Sequence, residues 1–153
     1  MRVHLGSDHA GLDLKEHLLT WLREHDYEPV DHGPFVYDAL DDYPVFCLRA
    51  AEAVAHDWSG DPPDSLGVVI GGSGNGEAIV ANKVRGIRCG LCWNEQTARW
   101  SRQHNDANML ALGQRTIDEA MAFQIVRVWL EESFEGGRHL PRVQAIEPAT
   151  RSK

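Results

Sequence analysis

The residues best suited to chemistry lie in a glycine-rich segment, residues 71–77, which reads GGSGNGE. It follows the apolar run of residues 66–70 and precedes a helical pattern, so it connects a buried strand to a helix. Glycines let backbone amides surround an anion at the start of a helix, where the helix dipole also favours negative charge. The segment predicts an anion-binding loop, although tight strand-to-helix turns also use glycine.

Glu77 places a carboxylate at the rim of this loop. A carboxylate can act as a general base, and loop amides can stabilise an oxyanion that forms beside it. A base next to an oxyanion site indicates proton abstraction from a carbon adjacent to a carbonyl group.

Three familiar glycine motifs fit the chain less well. The dinucleotide pattern G-x-G-x-x-G fails because its third glycine comes one position early. The phosphate-binding P-loop fails at residues 6–11 because Leu12 stands where lysine is needed. The hydrolase elbow G-x-S-x-G comes closest around Ser73, but Asn75 replaces its last glycine. A nucleophilic serine remains a minor alternative.

Asp8 and His9 follow the first predicted strand. Carboxyl ends of parallel strands face one crevice, so this pair is expected near the glycine loop, where it can serve as an acid–base pair. Asp8 also lies just before a helix, and a helix cap is the alternative role.

Arginines supply positive charge in a chain that is acidic as a whole. Arg115 follows the last predicted strand, and Arg138 and Arg142 are four residues apart, hence on one face of a predicted terminal helix. Three guanidinium groups could bind a phosphate, and ordinary surface arginines are the alternative. The polar segment of residues 102–106 alone resembles a turn.

Composition narrows the class of protein. The 153 residues carry a formal net charge of −8, which disfavours binding to nucleic acid or to anionic membranes. No apolar run is long enough for a signal peptide or a membrane span, so a cytoplasmic location is expected. Three cysteines argue against a disulfide framework, and the Cys89–Cys92 pair lacks partners at zinc-ligand spacing, so no metal is expected.

Strand and helix patterns alternate along the chain. Strands are predicted at about residues 3–6, 29–31, 66–70, 87–92 and 109–112. Helices are predicted at about residues 14–24, 44–55, 77–84, 95–104, 117–130 and 138–146. This alternation favours a Rossmann-like, three-layer α/β/α sandwich with a five-stranded parallel sheet. Residues 1–147 are expected to form one domain, and residues 148–153 a frayed tail.

Taken together, these segments resemble type B ribose-5-phosphate isomerases and the related galactose-6-phosphate isomerase subunits over nearly the whole chain. The matching motifs are Gly6-Ser-Asp8-His9-Ala-Gly11, Asp42-Tyr43-Pro44, Gly72-Ser-Gly-Asn-Gly76, Ala81-Asn82-Lys83, Gly86-Ile-Arg88, Ser101-Arg-Gln-His104-Asn105-Asp106-Ala-Asn108 and Glu135-Gly-Gly-Arg138-His139. The resemblance implies conversion of D-ribose 5-phosphate to D-ribulose 5-phosphate through a cis-enediolate, without metal or organic cofactor.

The resemblance also implies roles for individual residues. Asp8, His9 and His104 would assist ring opening and proton handling, and Tyr43 and Asn105 would line the sugar site. Loop residues would hold the enediolate oxygen, namely Gly72, Ser73, Gly74, Asn75 and Gly76. Phosphate would be bound by Arg115, Arg138 and Arg142. A homodimer is implied, or a dimer of dimers, whose terminal helix packs on the partner subunit and makes the site composite.

The base is where the chain departs from many family members. They place a cysteine directly after the buried strand, where this chain has Gly71. A second branch of the family uses a glutamate immediately after the glycine loop, and Glu77 matches that position. Glu77 is therefore the predicted base.

Three alternatives for function stay open on the sequence alone. The substrate could be a tetrose or hexose phosphate, because the sequence of the loop at residues 32–42 departs from the pattern usual in the family. The chain could also be a noncatalytic phosphosugar-binding module, or a serine hydrolase that uses Ser73.

Overall fold

The protein contains one five-stranded parallel sheet in the residues that its computed structural model describes, 1–58 and 65–146. The strands are β1 (Arg2–Ser7), β2 (Glu28–Asp31), β3 (Ser65–Gly71), β4 (Cys89–Leu91) and β5 (Met109–Gly113). Their order across the sheet is β2-β1-β3-β5-β4, and every neighbouring pair is parallel. The prediction of a five-stranded parallel sheet is confirmed.

Within the described ranges, six α-helices connect or follow these strands. They are α1 (Leu12–Glu24), α2 (Tyr43–Asp57), α3 (Asn75–Ala81), α4 (Glu95–Asn105), α5 (Glu119–Glu131) and α6 (Leu140–Ile146). Short 3-10 turns precede α1, at His9–Gly11, and α6, at Gly137–His139. None of the described helices is long and apolar enough to cross a membrane.

Helices cover both faces of the sheet. One apolar cluster joins β1, β3 and β5 to α1, α4 and α5, with Trp129 fully buried in it. The other joins the opposite face to α2 and α3, and includes Val54, Ala81 and Ala111. β3 is buried along its whole length because it is central and covered on both sides. The predicted three-layer α/β/α architecture is thereby confirmed.

The strand order explains where a ligand can bind. From β1 the chain moves outward to β2, and from β3 it moves to the other side of the sheet. The carboxyl ends of β1 and β3 therefore flank the point where the connections diverge, which opens a crevice in folds of this type. Asp8 follows β1 and Gly71 ends β3, so both lie at this crevice.

The boundaries of α3, β4 and the terminal segment differ from the prediction. α3 starts at Asn75 and not at Glu77. It ends at Ala81 because the Asn82 side chain donates a hydrogen bond to the Ala78 carbonyl oxygen and accepts one from the Cys89 amide. β4 is shorter than predicted. The terminal segment is a 3-10 turn followed by α6, so Arg138 and Arg142 do not share one regular helix. The predicted tail of residues 148–153 lies outside the described residues.

Candidate active site

The Glu77 carboxyl group is buried at the carboxyl edge of the sheet, and the residue is only 4% exposed. Its space exists because residue 71 has no side chain. A Cβ built on Gly71 would overlap Glu77 Oε1 and would come within 2.7 Å of Oε2. Glu77 therefore fills the position that a side chain from the end of β3 would otherwise take.

Burial is the main cause that raises the pKa of Glu77 above its ordinary value of 4.5, and the nearby negative charge of Asp8 raises it further. Hydrogen bonds from backbone amides act in the opposite direction. A carboxylate whose pKa is raised toward neutral pH binds a proton more strongly when ionised, as a general base requires.

The glycine loop is fixed by close backbone packing. Gly74 adopts a left-handed conformation, with φ of 80°, and caps α3 by accepting a hydrogen bond from the Ala78 amide at 3.0 Å. A Cβ on Gly74 would lie 2.6 Å from the Leu91 side chain. A Cβ on Gly113 would overlap the Ser73 carbonyl oxygen. Only residues without side chains allow the loop to pack this tightly against β5.

Ser73 and Asn75 form the exposed tip of the loop. The Ser73 hydroxyl accepts hydrogen bonds from the amide and the side chain of Asn75, at 3.2 and 3.3 Å. Among the hydrogen bonds of the described residues, none joins Ser73 to a histidine. The hydrolase alternative therefore lacks the base that would activate this serine.

Asp8 and His9 occupy the turn after β1. Asp8 accepts a hydrogen bond from the Gly11 amide at 3.1 Å, so it caps the 3-10 turn, and its charge also reaches Glu77. The His9 ring lies 2.6 Å from Asp41, a residue of the loop before α2. Of the predicted acid–base pair, Asp8 thus lies near Glu77, while His9 pairs with Asp41, a carboxylate that sequence reasoning missed.

Tyr43 and Arg115 border the same loop. A Cβ on Gly76 would come within 2.7 Å of the Tyr43 hydroxyl oxygen, so this ring lies directly against the loop backbone. The Arg115 guanidinium lies close to Gly72, and its backbone amide donates to the Gly72 carbonyl oxygen at 2.9 Å. The Arg115 guanidinium, the Tyr43 phenol, the carboxylates of Glu77 and Asp8 and the loop amides therefore meet at this edge.

The remaining predicted site residues lie away from the Glu77 crevice. α4 begins after the carboxyl end of β4 and runs about 16 Å back toward the amino end of β5. His104 and Asn105 end this helix and so lie at the amino edge of the sheet. The His104 ring stacks on His139 at 4.4 Å, beside Arg138.

Asn105 lines a pocket of about 230 Å³ with Arg88 and Ile146, at the same amino edge. Arg138 and Arg142 are both exposed. One chain therefore divides the predicted residues into two groups: a carboxyl-edge group with the base and the loop, and an amino-edge group. The amino-edge group consists of His104, Asn105, Arg138 and Arg142.

His104, Glu135 and His139 could hold a metal by atom spacing, since their ligand atoms lie within 4.8 Å of one another. Two features oppose a cation there. The two imidazole rings are nearly parallel, at 8°, so their nitrogens do not converge on one point. Burial lowers the pKa of His139, and the charges of His104, Arg138 and Arg142 lower it further, against the opposing effect of Glu135. Several positive groups around these residues thus disfavour a cation.

The three cysteines are free thiols. Cys47 lies near Glu77, and burial, together with that neighbouring charge, raises the pKa of its thiol. Burial raises the pKa of Cys89 and Cys92 as well. A thiol held in its protonated form is a poor base and a poor metal ligand, so Glu77 is the better candidate at this edge.

A doubly wound α/β fold with a buried carboxylate beside a glycine-rich strand-to-helix loop is typical of enzymes that carry out acid–base chemistry. The family described as Ribose/Galactose Isomerase matches residues 3–146. The chain therefore belongs to that family.

Individual relatives extend this result. Ribose-5-phosphate isomerase B of Mycolicibacterium paratuberculosis is 46% identical over 147 residues, which cover 95% of this chain and 89% of the relative. The structure of Clostridium thermocellum ribose-5-phosphate isomerase B has a TM-score of 0.89 at 45% identity, and covers 96% of this chain and 95% of that one. Mycoplasma genitalium ribose-5-phosphate isomerase B with bound ribulose-5-phosphate has a TM-score of 0.90 at 38% identity, covering 95% and 93%.

Proposed function

We propose that this protein interconverts D-ribose 5-phosphate and D-ribulose 5-phosphate. Relatives that align with nearly the whole chain are named ribose-5-phosphate isomerase B, and one related structure holds the ketose product. The observation that carries the proposal is the buried Glu77 carboxylate in the space left by Gly71, beside the glycine loop.

The chemical step is a proton transfer between neighbouring carbons. Ionised Glu77 takes the proton from C2 of the open-chain aldose, which leaves a cis-enediolate, and then returns a proton to C1, while the proton of the C2 hydroxyl group passes to the C1 oxygen and the C2=O bond forms. Negative charge develops on the oxygen of C1 during this step. Amides of residues 72–76, with the Ser73 hydroxyl, hold that oxygen, and pre-oriented donors of this kind stabilise such a charge strongly.

Other side chains bind and prepare the substrate. Asp8 and His9 act in opening the sugar ring, together with His104. Tyr43 lies against the loop and contacts the sugar, and Asn105 serves the same sugar from the amino-edge group. The phosphate is bound by the guanidinium groups of Arg115, Arg138 and Arg142, which are suited to bidentate contacts with phosphate oxygens.

These groups must act in one site, and a second copy of the chain supplies what one copy lacks. We assign the protein as a homodimer, with a dimer of dimers as a larger possible assembly. The amino-edge group of one subunit faces the Glu77 crevice of the other. Exposed apolar side chains on α3, α4 and α6 support such an interface, because apolar surface of this kind marks contact sites; examples are Ile79, Trp100 and Ile146.

The partners and the compartment follow from charge and thiol chemistry. The substrate is a small sugar phosphate, and the net charge of −8 disfavours nucleic acid and membrane surfaces as partners. Three free thiols agree with a reducing compartment, so the proposed location is the cytoplasm.

A panel of tetrose, pentose and hexose phosphates, incubated with the protein in heavy water, tests the proposal. Ketose formation should be fastest with ribose 5-phosphate, and deuterium should appear at the carbon that receives the proton. Faster turnover of a tetrose or hexose phosphate would assign that sugar phosphate as the substrate in place of ribose 5-phosphate. No ketose and no deuterium with any of them would indicate a binding module.

The variant Glu77→Gln tests the base itself. It should lower kcat roughly 10²–10⁴-fold and leave phosphate affinity nearly unchanged, because it removes proton transfer without removing a phosphate contact. Burial in the folded protein raises the pKa of Glu77 above its ordinary value of 4.5. The free energy of unfolding therefore falls as pH rises from the unfolded-state pKa to the folded-state pKa, and at higher pH the ionised group destabilises the fold. The amide removes this cost, so the Tm at pH 8 should not fall. Near-normal turnover would exclude Glu77 as the base.

A further inference from the structure

Asp41 makes two contacts with one residue of the active site. Its Oδ1 accepts a hydrogen bond from the His9 backbone amide at 2.9 Å, and the same oxygen lies 2.6 Å from His9 Nδ1. Thirty-two residues separate the two positions in the chain, so tertiary structure alone brings them together.

The chemistry of the pair fixes the protonation of the ring. An ionised carboxylate offers only acceptors, so His9 Nδ1 must be the donor in this contact. The proton of neutral imidazole then sits on Nδ1, and Nε2 keeps a free lone pair. Among the described residues, no hydrogen bond engages His9 Nε2. Asp41 thus selects the tautomer in which Nε2 can accept a proton.

Neighbouring residues enclose the Asp41 side chain and pack on the His9 ring. The Asp41 side chain is 8% exposed, and its Oδ2 has no hydrogen-bond partner among the described residues. Tyr37 packs edge-on against the His9 ring at 5.9 Å and 87°. The loop that carries Tyr37 and Asp41 is anchored at its start. There the Gly33 carbonyl oxygen accepts a hydrogen bond from the Ser7 amide, and the Pro34 carbonyl oxygen accepts one from buried Lys15.

We propose that Asp41 is a positioning residue that orients His9 for opening of the sugar ring, an inference that rests on the proposed isomerase function. His9 Nε2 accepts the proton of the anomeric hydroxyl group and returns it to the ring oxygen. Meanwhile the C1–ring oxygen bond breaks and the C1=O bond forms. No atom or electron is gained or lost. Asp41 stabilises the imidazolium that exists between the two transfers.

This role separates ring opening from proton transfer between carbons, and the two can be measured independently. Ribulose 5-phosphate has no ring that must open. Deuterium incorporation into ribulose 5-phosphate, recovered from heavy water before it has isomerised, therefore reports the Glu77 step alone. Net conversion of ribose 5-phosphate reports ring opening as well.

The variant Asp41→Ala should lower kcat for ribose 5-phosphate by roughly 10–100-fold, at or below the lower end of the roughly 10²–10⁴-fold that a positioned acid–base group contributes, because the His9 ring itself remains. Deuterium incorporation into ribulose 5-phosphate should stay within about threefold of the wild type. His9→Ala should show the same pattern, and the double variant should be no slower than His9→Ala, because Asp41 acts through His9. Asp38→Ala is the matched control: Asp38 is an exposed carboxylate of the same loop that caps the Leu40 amide.

Three results would overturn the inference. One is an equal fall of both rates in Asp41→Ala, which would indicate a general loss of site structure. Another is additive losses in the double variant, and a third is unchanged conversion of ribose 5-phosphate. The proposed function has a separate point of failure, since a wild-type chain that neither converts nor exchanges either sugar phosphate would exclude it first.

Discussion

Glu77 and Gly71 share one space, and the absence of a side chain at residue 71 determines what residue 77 can do. The carboxylate is buried against the end of β3 because Gly71 leaves room for it. A larger residue there would turn the carboxylate toward solvent, where its pKa would return toward the ordinary value. Position and proton affinity of the base therefore depend on the same glycine.

The variant Gly71→Ala tests this dependence. The new methyl group would meet the far end of a flexible side chain, so the chain should fold while the carboxylate moves. We expect kcat to fall about 100-fold, which is the size of a lost general base, with a small change in Tm. Activity assays with thermal unfolding measure both. A variant with wild-type kcat would show that the carboxylate does not need this space.

The pH dependence of kcat/KM follows from the raised pKa of Glu77. The base must be ionised, so activity should be lost as pH falls through that pKa, with a midpoint above 4.5. Asp8→Asn removes a like charge and should move the midpoint to lower pH, whatever it does to the maximal rate. Asp13→Asn, at an exposed carboxylate, is the control. A midpoint that Asp8→Asn leaves in place would remove Asp8 from the electrostatics of the base.

Sequence reasoning reached Glu77 because the carboxylate adjoins a recognisable loop, and it reached Asp8 and His9 because they end a strand. Asp41 carried no such local signal. It belongs to a run of aspartates before Tyr43, and the contact with His9 depends on how the loop folds back. A buried carboxylate in an irregular loop is visible only in three dimensions.

At the level of elements, the strand-to-helix turn after β3 positions the loop amides and Glu77. Gly74 combines a positive φ with close contacts to Leu91 and Leu112, so it holds the loop amides and the start of α3 together. Sequence patterns predicted the turn but began α3 two residues late, because capping by a left-handed glycine leaves no hydrophobic signal. Asn82 ends α3 by bonding to the Ala78 carbonyl oxygen and to the Cys89 amide, and Asn108 accepts from the Arg88 amide just before β4.

Gly74 and Gly86 form a matched pair for testing this turn. Both have positive φ, 80° and 83°, but a Cβ on Gly86 meets nothing within 4 Å. Gly86→Ala should cost about 1–2 kcal/mol of unfolding free energy through backbone strain alone. Gly74→Ala should cost more and should lower kcat at least about tenfold, because the loop must shift. Urea unfolding measures the change in unfolding free energy, and activity assays measure the change in kcat. Equal effects of the two variants on both quantities would contradict this role for the turn.

At the level of the molecule, the fold separates the two groups of predicted residues. Strands bring Asp8, Gly71 and Arg115 to the carboxyl edge, while α4 carries His104 to the amino edge. The α/β alternation in the sequence was sufficient for the sheet and its layers. By itself this alternation could not show that the predicted residues fall into two groups within one chain, because that depends on the direction in which each helix runs. Only the family resemblance led to the expectation of a composite site.

A heterodimer of two inactive variants tests the composite acid–base site most directly. Glu77→Gln and His104→Ala subunits, co-expressed and purified through different tags, would form one doubly altered site and one intact site. We predict that each parent is inactive and that the heterodimer recovers about half of the wild-type turnover of ribose 5-phosphate. A heterodimer no more active than its parents would contradict the account, because it would mean that Glu77 and His104 of different subunits do not serve one site.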